Sequence, residues 1–344
     1  MGVPMKKGTI ISMMLLVAFT ILASSSVAQE QKKLAQTGMK FLNVGSDAQA
    51  TAMGEAVTAI EGSSASMFYN PACMARLNSL YDITLGQTQW IADINHNFAG
   101  IAVNPWHGDY GVFGLMLQFV DYGDLQETIR ASNAQGFLDL GTFKPTASAI
   151  GISYARALSD RFSIGGNGKF VSQNLGNGTI DLDDQGNPIR TKSETDVWVF
   201  DFGMLYKTGY KSLNFGVAVR NFSKEVKYER EGFQLPLIFK IGLSVNAVDF
   251  LPLDKETHSF VLSADATHPR DYPEQVNFGG EYVFMQILAL RAGYMTNNDE
   301  FGVTGGFGVH KTLRDMRLGV DYSYTPFGVF KEVHRITFQL TMLH

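Results

Sequence analysis

Asp196–Tyr206, DVWVFDFGMLY, is the stretch that decides the fold. Trp198, Phe200, Phe202, Met204 and Tyr206 occupy every second position, with Asp201 and Gly203 between them. Side chains alternate across a strand, so this segment presents one aromatic face and one polar or small face. The same period recurs outward from it. Leu213, Phe215, Val217 and Val219 alternate with Asn214, Gly216, Ala218 and Arg220. Near the C-terminus Ile336, Phe338, Leu340 and Met342 alternate with Thr337, Gln339 and Thr341. Strands of soluble sandwiches typically stop at about five or six residues. These runs last about ten, the length of a tilted strand that crosses an outer membrane.

Fourteen such runs are predicted, near 80–90, 94–104, 110–121, 146–157, 162–173, 196–207, 212–221, 235–248, 259–267, 275–284, 287–296, 301–311, 315–324 and 333–343. The count is even, as in single-chain bacterial barrels. Long gaps at 122–145, 174–195, 222–234 and 268–274 alternate with short ones such as Leu158–Arg161 and Thr208–Lys211. Alternate gaps of an antiparallel barrel lie at the same end, so this pattern is the loop-and-turn asymmetry of outer-membrane barrels. Only the gap 249–258 departs from it. The fold class is therefore all-β, a 14-stranded antiparallel transmembrane barrel. The abundance of Gly (35), Phe (25) and Tyr (13) over Pro (10) suits a crowded wall and aromatic belts at the membrane interfaces.

The ends of the chain divide it into three parts. Lys6 and Lys7 precede an apolar run of thirteen residues, Ile10–Leu22, and Ser26-Val27-Ala28 supplies small residues for cleavage before Gln29. That run is too short for a membrane-spanning helix and reads as a secretory signal, residues 1–28. No Cys follows it, which argues against a lipid anchor. Residues 29–79 form a plug segment and 80–344 the barrel. Within the former, Phe41–Leu77 is rich in Ala, Gly and Ser, lacks the strand alternation and ends in the turn-forming Asn70-Pro71-Ala72. A compact small-residue segment ahead of a long β region is what a plug requires.

Charged residues sort with the polar faces. Arg156, Lys169, Asp201, Arg220, Lys240, Asp265, Glu281, Arg291 and Asp321 are expected to point into the lumen. An Arg or Lys facing lipid at mid-bilayer would cost about 2–4 kcal/mol. Inside, both signs can pair across the lumen and grip the plug.

Several function classes fall away. With Cys73 the sole cysteine, no internal disulfide forms. Net charge is −5 with interspersed signs, so a nucleic-acid surface is not expected. The seven histidines are scattered, and none pairs with a Ser and an acid at a spacing that would activate a nucleophile, so the chain is read as a non-enzyme. No cofactor or metal is expected. Asp181–Asn187 has the look of a calcium loop, but position twelve is Lys192 instead of the ligating Glu, so it reads as a solvated hairpin tip.

Ordered blocks then carry a family resemblance. They are Phe41-Leu42-Asn43-Val44-Gly45-Ser46-Asp47-Ala48, Ala52-Met53-Gly54-Glu55-Ala56, Tyr69-Asn70-Pro71-Ala72, Val120–Gly123, Gly151–Ala155, Leu288–Tyr294, Gly305–Gly308 and Leu318–Tyr324. In these the chain resembles the PorV/PorQ family of outer-membrane proteins, part of a wider group similar to the FadL fatty-acid channels. The resemblance marks Gly45, Asp47, Ala48, Met53, Gly54, Asn70, Pro71 and Ala72 as the plug motif. After Asn70-Pro71-Ala72 the family continues Gly-Leu-Ala, whereas this chain has Cys73-Met74-Ala75. The backbone there is either not left-handed or strained.

The resemblance implies two readings of function. In one, the barrel is a type IX secretion accessory whose partners are exported proteins with C-terminal secretion domains and the secretion machinery, clasped by loops 122–145 and 174–195. In the other, it is a channel for a hydrophobic small molecule. That channel would need an apolar pocket lined by Met53, Met67 and Phe68, and a wall kink at Gly111 or Gly114. Outer-membrane lipid surrounds the barrel in both.

Overall fold

The strands of the wall are, in chain order, β1 Ser79–Gln89, β2 Asn95–Val103, β3 Val112–Asp121, β4 Thr146–Ala157, β5 Phe162–Leu182, β6 Pro188–Lys207, β7 Asn214–Ser223, β8 Ile238–Asn246, β9 His258–Pro269, β10 Gln275–Phe284, β11 Leu288–Met295, β12 Val303–Leu313, β13 Met316–Pro326 and β14 Glu332–Leu343. Each pairs antiparallel with its chain neighbours, and β1 pairs with β14 (Ile83 opposite Leu340), which closes a barrel of fourteen strands. Closure leaves no unpaired edge, the condition for a sheet to stand in lipid. This computed structural model describes residues 37–343 except 184, 186, 187, 229–231 and 298–301. The expected signal segment and the centre of the calcium-like tip lie outside the described residues.

Period-two alternation sets the two faces. Trp198, Phe200, Phe202, Met204 and Tyr206 all stand exposed on the outside of β6, while Val197, Val199, Asp201 and Leu205 are buried inside. Register is pinned because a one-residue slip would exchange these faces. One irregularity is built in. On β7, Arg220 and Asn221 together oppose the single residue Asp201, and Asn221 takes φ +61°. This bulge turns both side chains inward.

The ends differ. At one, turns such as 285–287 and 314–315 are tight; at the other lie the connections 122–145 and 224–237. The sequence reading of 174–195 as a loop is corrected here. β5 and β6 continue pairing past the barrel rim to Leu182 and Pro188, so the segment is a protruding hairpin. β-Branched and polar residues such as Thr179, Ile189, Arg190 and Thr191 sustain a ladder that alternation of apolar faces cannot reveal once both faces meet water. A second hairpin, Leu125–Arg130 with Phe137–Phe143, packs beside it. Glu127 joins the two, accepting from the Thr179 N–H at 2.9 Å and the Thr179 Oγ1 at 2.7 Å, and these bonds hold its carboxyl below the usual carboxylate range.

Candidate functional site: the plug and the bowl above it

Residues 38–77 run through the barrel from the loop end, where Gly38 N–H donates to Gln234 O, to the turn end, where Asn104 Nδ2 donates to Leu77 O at 2.6 Å. The segment folds into one helical turn, α1 (Ala48–Ala52), and 3₁₀ turns at Lys40–Asn43, Ser64–Phe68 and Pro71–Arg76. Small residues dictate this. Ala48, Ala52, Ala56, Ala72 and Cys73 have no exposed surface, and larger side chains in their place would not fit inside fourteen strands.

The motif residues act mainly as caps and anchors. Asp47 caps α1, accepting from Ala50 N–H at 2.8 Å. Ala48 N–H donates to Thr337 Oγ1 at 2.9 Å, and Arg335 Nε donates to Gly45 O at 2.8 Å. Gly54, at φ +62°, donates its N–H to Thr304 Oγ1. The Asn70 side chain accepts from Ala72 N–H and donates to Thr58 O at 2.7 Å and Met204 O at 3.1 Å, while Pro71 opens the following 3₁₀ turn. Met53 is packed against Gly279 of β10.

Cys73 lies inside that last 3₁₀ turn and is not among the residues of positive φ. Of the two alternatives at the lost glycine, the ordinary right-handed backbone is the one adopted.

Anchors that sequence reasoning missed are as important. Thr58 donates its N–H (3.1 Å) and Oγ1 (2.6 Å) to Asp265 Oδ2. Ser64 binds Asp82 and Thr84 at the barrel's opposite side. Thr51 meets Ser323 at 2.8 Å, and Asn167 Nδ2 reaches Met67 O at 2.7 Å. Single polar residues in alternating strands give no signal of which segment they will touch. The plug is held from almost every direction around the wall.

Of the charges expected in the lumen, Lys169, Asp201, Arg220, Lys240, Asp265, Glu281, Arg291 and Asp321 are buried there. Lys169 and Asp201 pair at 2.7 Å, and Arg291 bridges Glu281 and Asp321 at 2.6 Å each. Arg156 is a correction. It shares the outward face of β4 with Ile150, Ile152 and Tyr154, and its guanidinium donates to Asp109 O in the adjoining turn at 3.0 Å. One residue from the strand end, a long side chain carries its charge to the interface, so outward placement is tolerated.

The expected pocket and wall kink are corrected too. Met53, Met67 and Phe68 are nearly fully buried in packed interior and line none of the described cavities. β3 keeps an unbroken register with both neighbours across Gly114. A Cβ on Gly114 would collide with Met67 Sδ, so this glycine admits the plug instead of opening the wall. Gly111, at φ +90°, ends the turn before β3.

The largest described cavity, about 480 Å³, is a bowl at the loop end above the plug. One side, from the loops that join β1–β2 and β13–β14, is apolar and aromatic: Trp90, Ile91, Ile94, Phe327 and Phe330. Trp90 and Phe327 meet edge to face at 5.0 Å between centroids. The other side, from β8 to β10, carries Lys240, Thr267, Asp271, Gln275 and Asn277. The floor is plug: Phe41, Asn43, Val44 and Glu55.

Fold and site together define a class, the plugged barrel with an exposed apolar outer belt and a blind bowl at its loop end. The sequence of residues 27–259 matches the family described as Type IX secretion system protein PorV, which is well over half of the chain. The protein belongs to the PorV family, and as such is an outer-membrane barrel. No curated protein sequence matches it. Among solved structures it is similar to the Pseudomonas putida toluene transporter TodX, with TM-score 0.55 and 12% identity over 86% of this chain and 97% of that one. It is likewise similar to the Ralstonia pickettii toluene transporter TbuX, with TM-score 0.50 and 13% identity over 88% and 100%. The CymD monoaromatic hydrocarbon channel gives TM-score 0.52 and 11% identity over 88% and 98%. At such identities the likeness is one of fold.

Proposed function

We propose that this barrel is a secretion-associated docking protein that holds exported cargo at its loop end and does not conduct through its lumen. The observation that carries this reading is the plug, tied to opposite sides of the wall through Thr58–Asp265 and Ser64–Asp82. Each such bond contributes about 0.5–1.5 kcal/mol net, and opening the lumen would break many at once. By the asymmetry general to such barrels, the loop end faces the cell exterior. There the paired hairpins 125–143 and 174–195 stand beyond the barrel rim, where they would clasp a folded β-domain of the cargo. The family's association with type IX secretion supports cargo with a C-terminal secretion domain.

A hydrophobic small molecule is the second reading, supported by the aromatic side of the bowl. Such a solute would bind above the plug and would need the plug to move before it could pass. Purification of the tagged protein from its native membrane separates the two. Exported proteins that share a C-terminal β-domain should co-purify. A bound lipid or hydrocarbon without protein partners would overturn the docking role.

A further inference from the structure

Three buried polar atoms in the wall of the bowl have no hydrogen-bond partner among the described residues: Thr267 Oγ1, Asp271 Oδ1 and Asn277 Oδ1. Their residues are 5%, 1% and 1% exposed. All belong to the β9–β10 hairpin. Thr267 lies opposite Gln275 and so stands diagonal to Asn277 on the inner face, and Asp271 sits in the loop that joins their strands. Leaving a buried polar group unpaired costs stability, so three together within one cavity call for a ligand group.

All three atoms can accept, and two of them can only accept. The cations that line the bowl are already engaged. Lys40 pairs with Asp271 through Oδ2, and Lys240 is held by the Glu55 carboxylate at 3.6 Å and the Glu55 carbonyl at 3.2 Å. The unmet demand is therefore for donors, while Trp90, Ile94 and Phe330 offer apolar contact across the cavity.

We infer that the bowl binds an ammonium group on an apolar stem, the ammonium set among Thr267, Asp271 and Asn277 and the stem against Trp90 and Phe330. This rests on the reading that the bowl is the working site. An ammonium supplies three donors, one for each of these acceptors. A carboxylate in the same position would face acceptors at each contact. The same chemistry comes from a free amine or from a lysine side chain of a polypeptide.

Calorimetric titration of the purified barrel with 4-phenylbutylamine and with 4-phenylbutyrate, which share a body, tests the inference. The amine should bind at least about tenfold tighter than the acid. Thr267→Val removes an acceptor without changing shape. It should weaken the amine about three- to tenfold while leaving the melting temperature unchanged or raised. Asp271→Asn should weaken it further. Equal binding of amine and acid, or amine binding indifferent to Thr267→Val, overturns the inference. A capped Leu-Lys-Leu peptide binding tighter than the amine assigns the source to polypeptide; the reverse order assigns it to small amines. Amine binding without any co-purifying exported protein would remove the docking role and leave this chemistry standing.

Discussion

A single added methyl at Gly216 should loosen the plug, and the chain's sole cysteine can report it. Gly216 sits on β7 where the plug backbone crosses the wall. A Cβ there would stand 2.8 Å from the Thr58 carbonyl carbon, 3.1 Å from Ala59 Cα and nearer still to Thr58 O. These are backbone atoms, so no side chain can swing away, and Thr58 would have to retreat by roughly 1 Å. Thr58 is a hub: it is held by Asp265, and its carbonyl accepts from Asn70 Nδ2 at 2.7 Å and Cys73 Sγ at 3.4 Å. Overpacking costs about 1–3 kcal/mol, and one weakened hydrogen bond about 1 kcal/mol more. A local opening made easier by about 3 kcal/mol raises the open population about a hundredfold. Cys73 is fully buried in the native state, so its maleimide labelling follows that population. In isolated outer membranes Gly216→Ala should label about 30- to 100-fold faster than the parent. Gly178→Ala is the control, because nothing lies within 4 Å of that Cβ and its φ is not positive. Parental labelling and melting for Gly216→Ala would refute the account of the plug as a backbone wedged against wall glycines.

Two further outcomes follow from the charges. Arg291→Met removes the cation shared at 2.6 Å by Glu281 and Asp321 and leaves these two buried carboxylates with only Gln49 and His310 as partners. The expected cost is about 3–5 kcal/mol, read as a lower guanidinium midpoint by electrophoretic mobility, and an unchanged midpoint would refute it. In the 247–257 turn, bonds from Lys255 and then from Ser212 hold the Asp249 carboxyl down at about 2. A depressed folded-state value stabilises above the ordinary aspartate range and is lost as pH falls toward 2. The parent should therefore melt above Asp249→Asn at pH 6, with the two converging as pH approaches 2; a gap independent of pH would contradict this.

Much of the wall is legible in the sequence. Each strand's alternation is local, and lipid outside with packed interior inside forces it, so segments such as Asp196–Tyr206 and Ile336–Met342 announced their faces. The strand Gln275–Phe284 has the bounds that its alternation predicts. Local pattern failed where its physical cause lapses. Beyond the rim both faces of β5 and β6 meet water, and the pairing from 174 to 195 left no apolar signature. At the end of β4, Arg156 sits close enough to the interface for either face to serve.

The number of strands, their faces and the family are written in the sequence, because these depend on neighbours in the chain. Only the tertiary structure decided which wall residues hold the plug, that Gly114 admits Met67 instead of opening a gap, and that the bowl lies at the loop end. Thr58 and Asp265 are 207 residues apart, and Ala48 and Thr337 are 289 apart. Thr267, Asp271 and Asn277 face Trp90 only because closing the barrel brings opposite strands around one cavity. No local period encodes such meetings; closure of the sheet does.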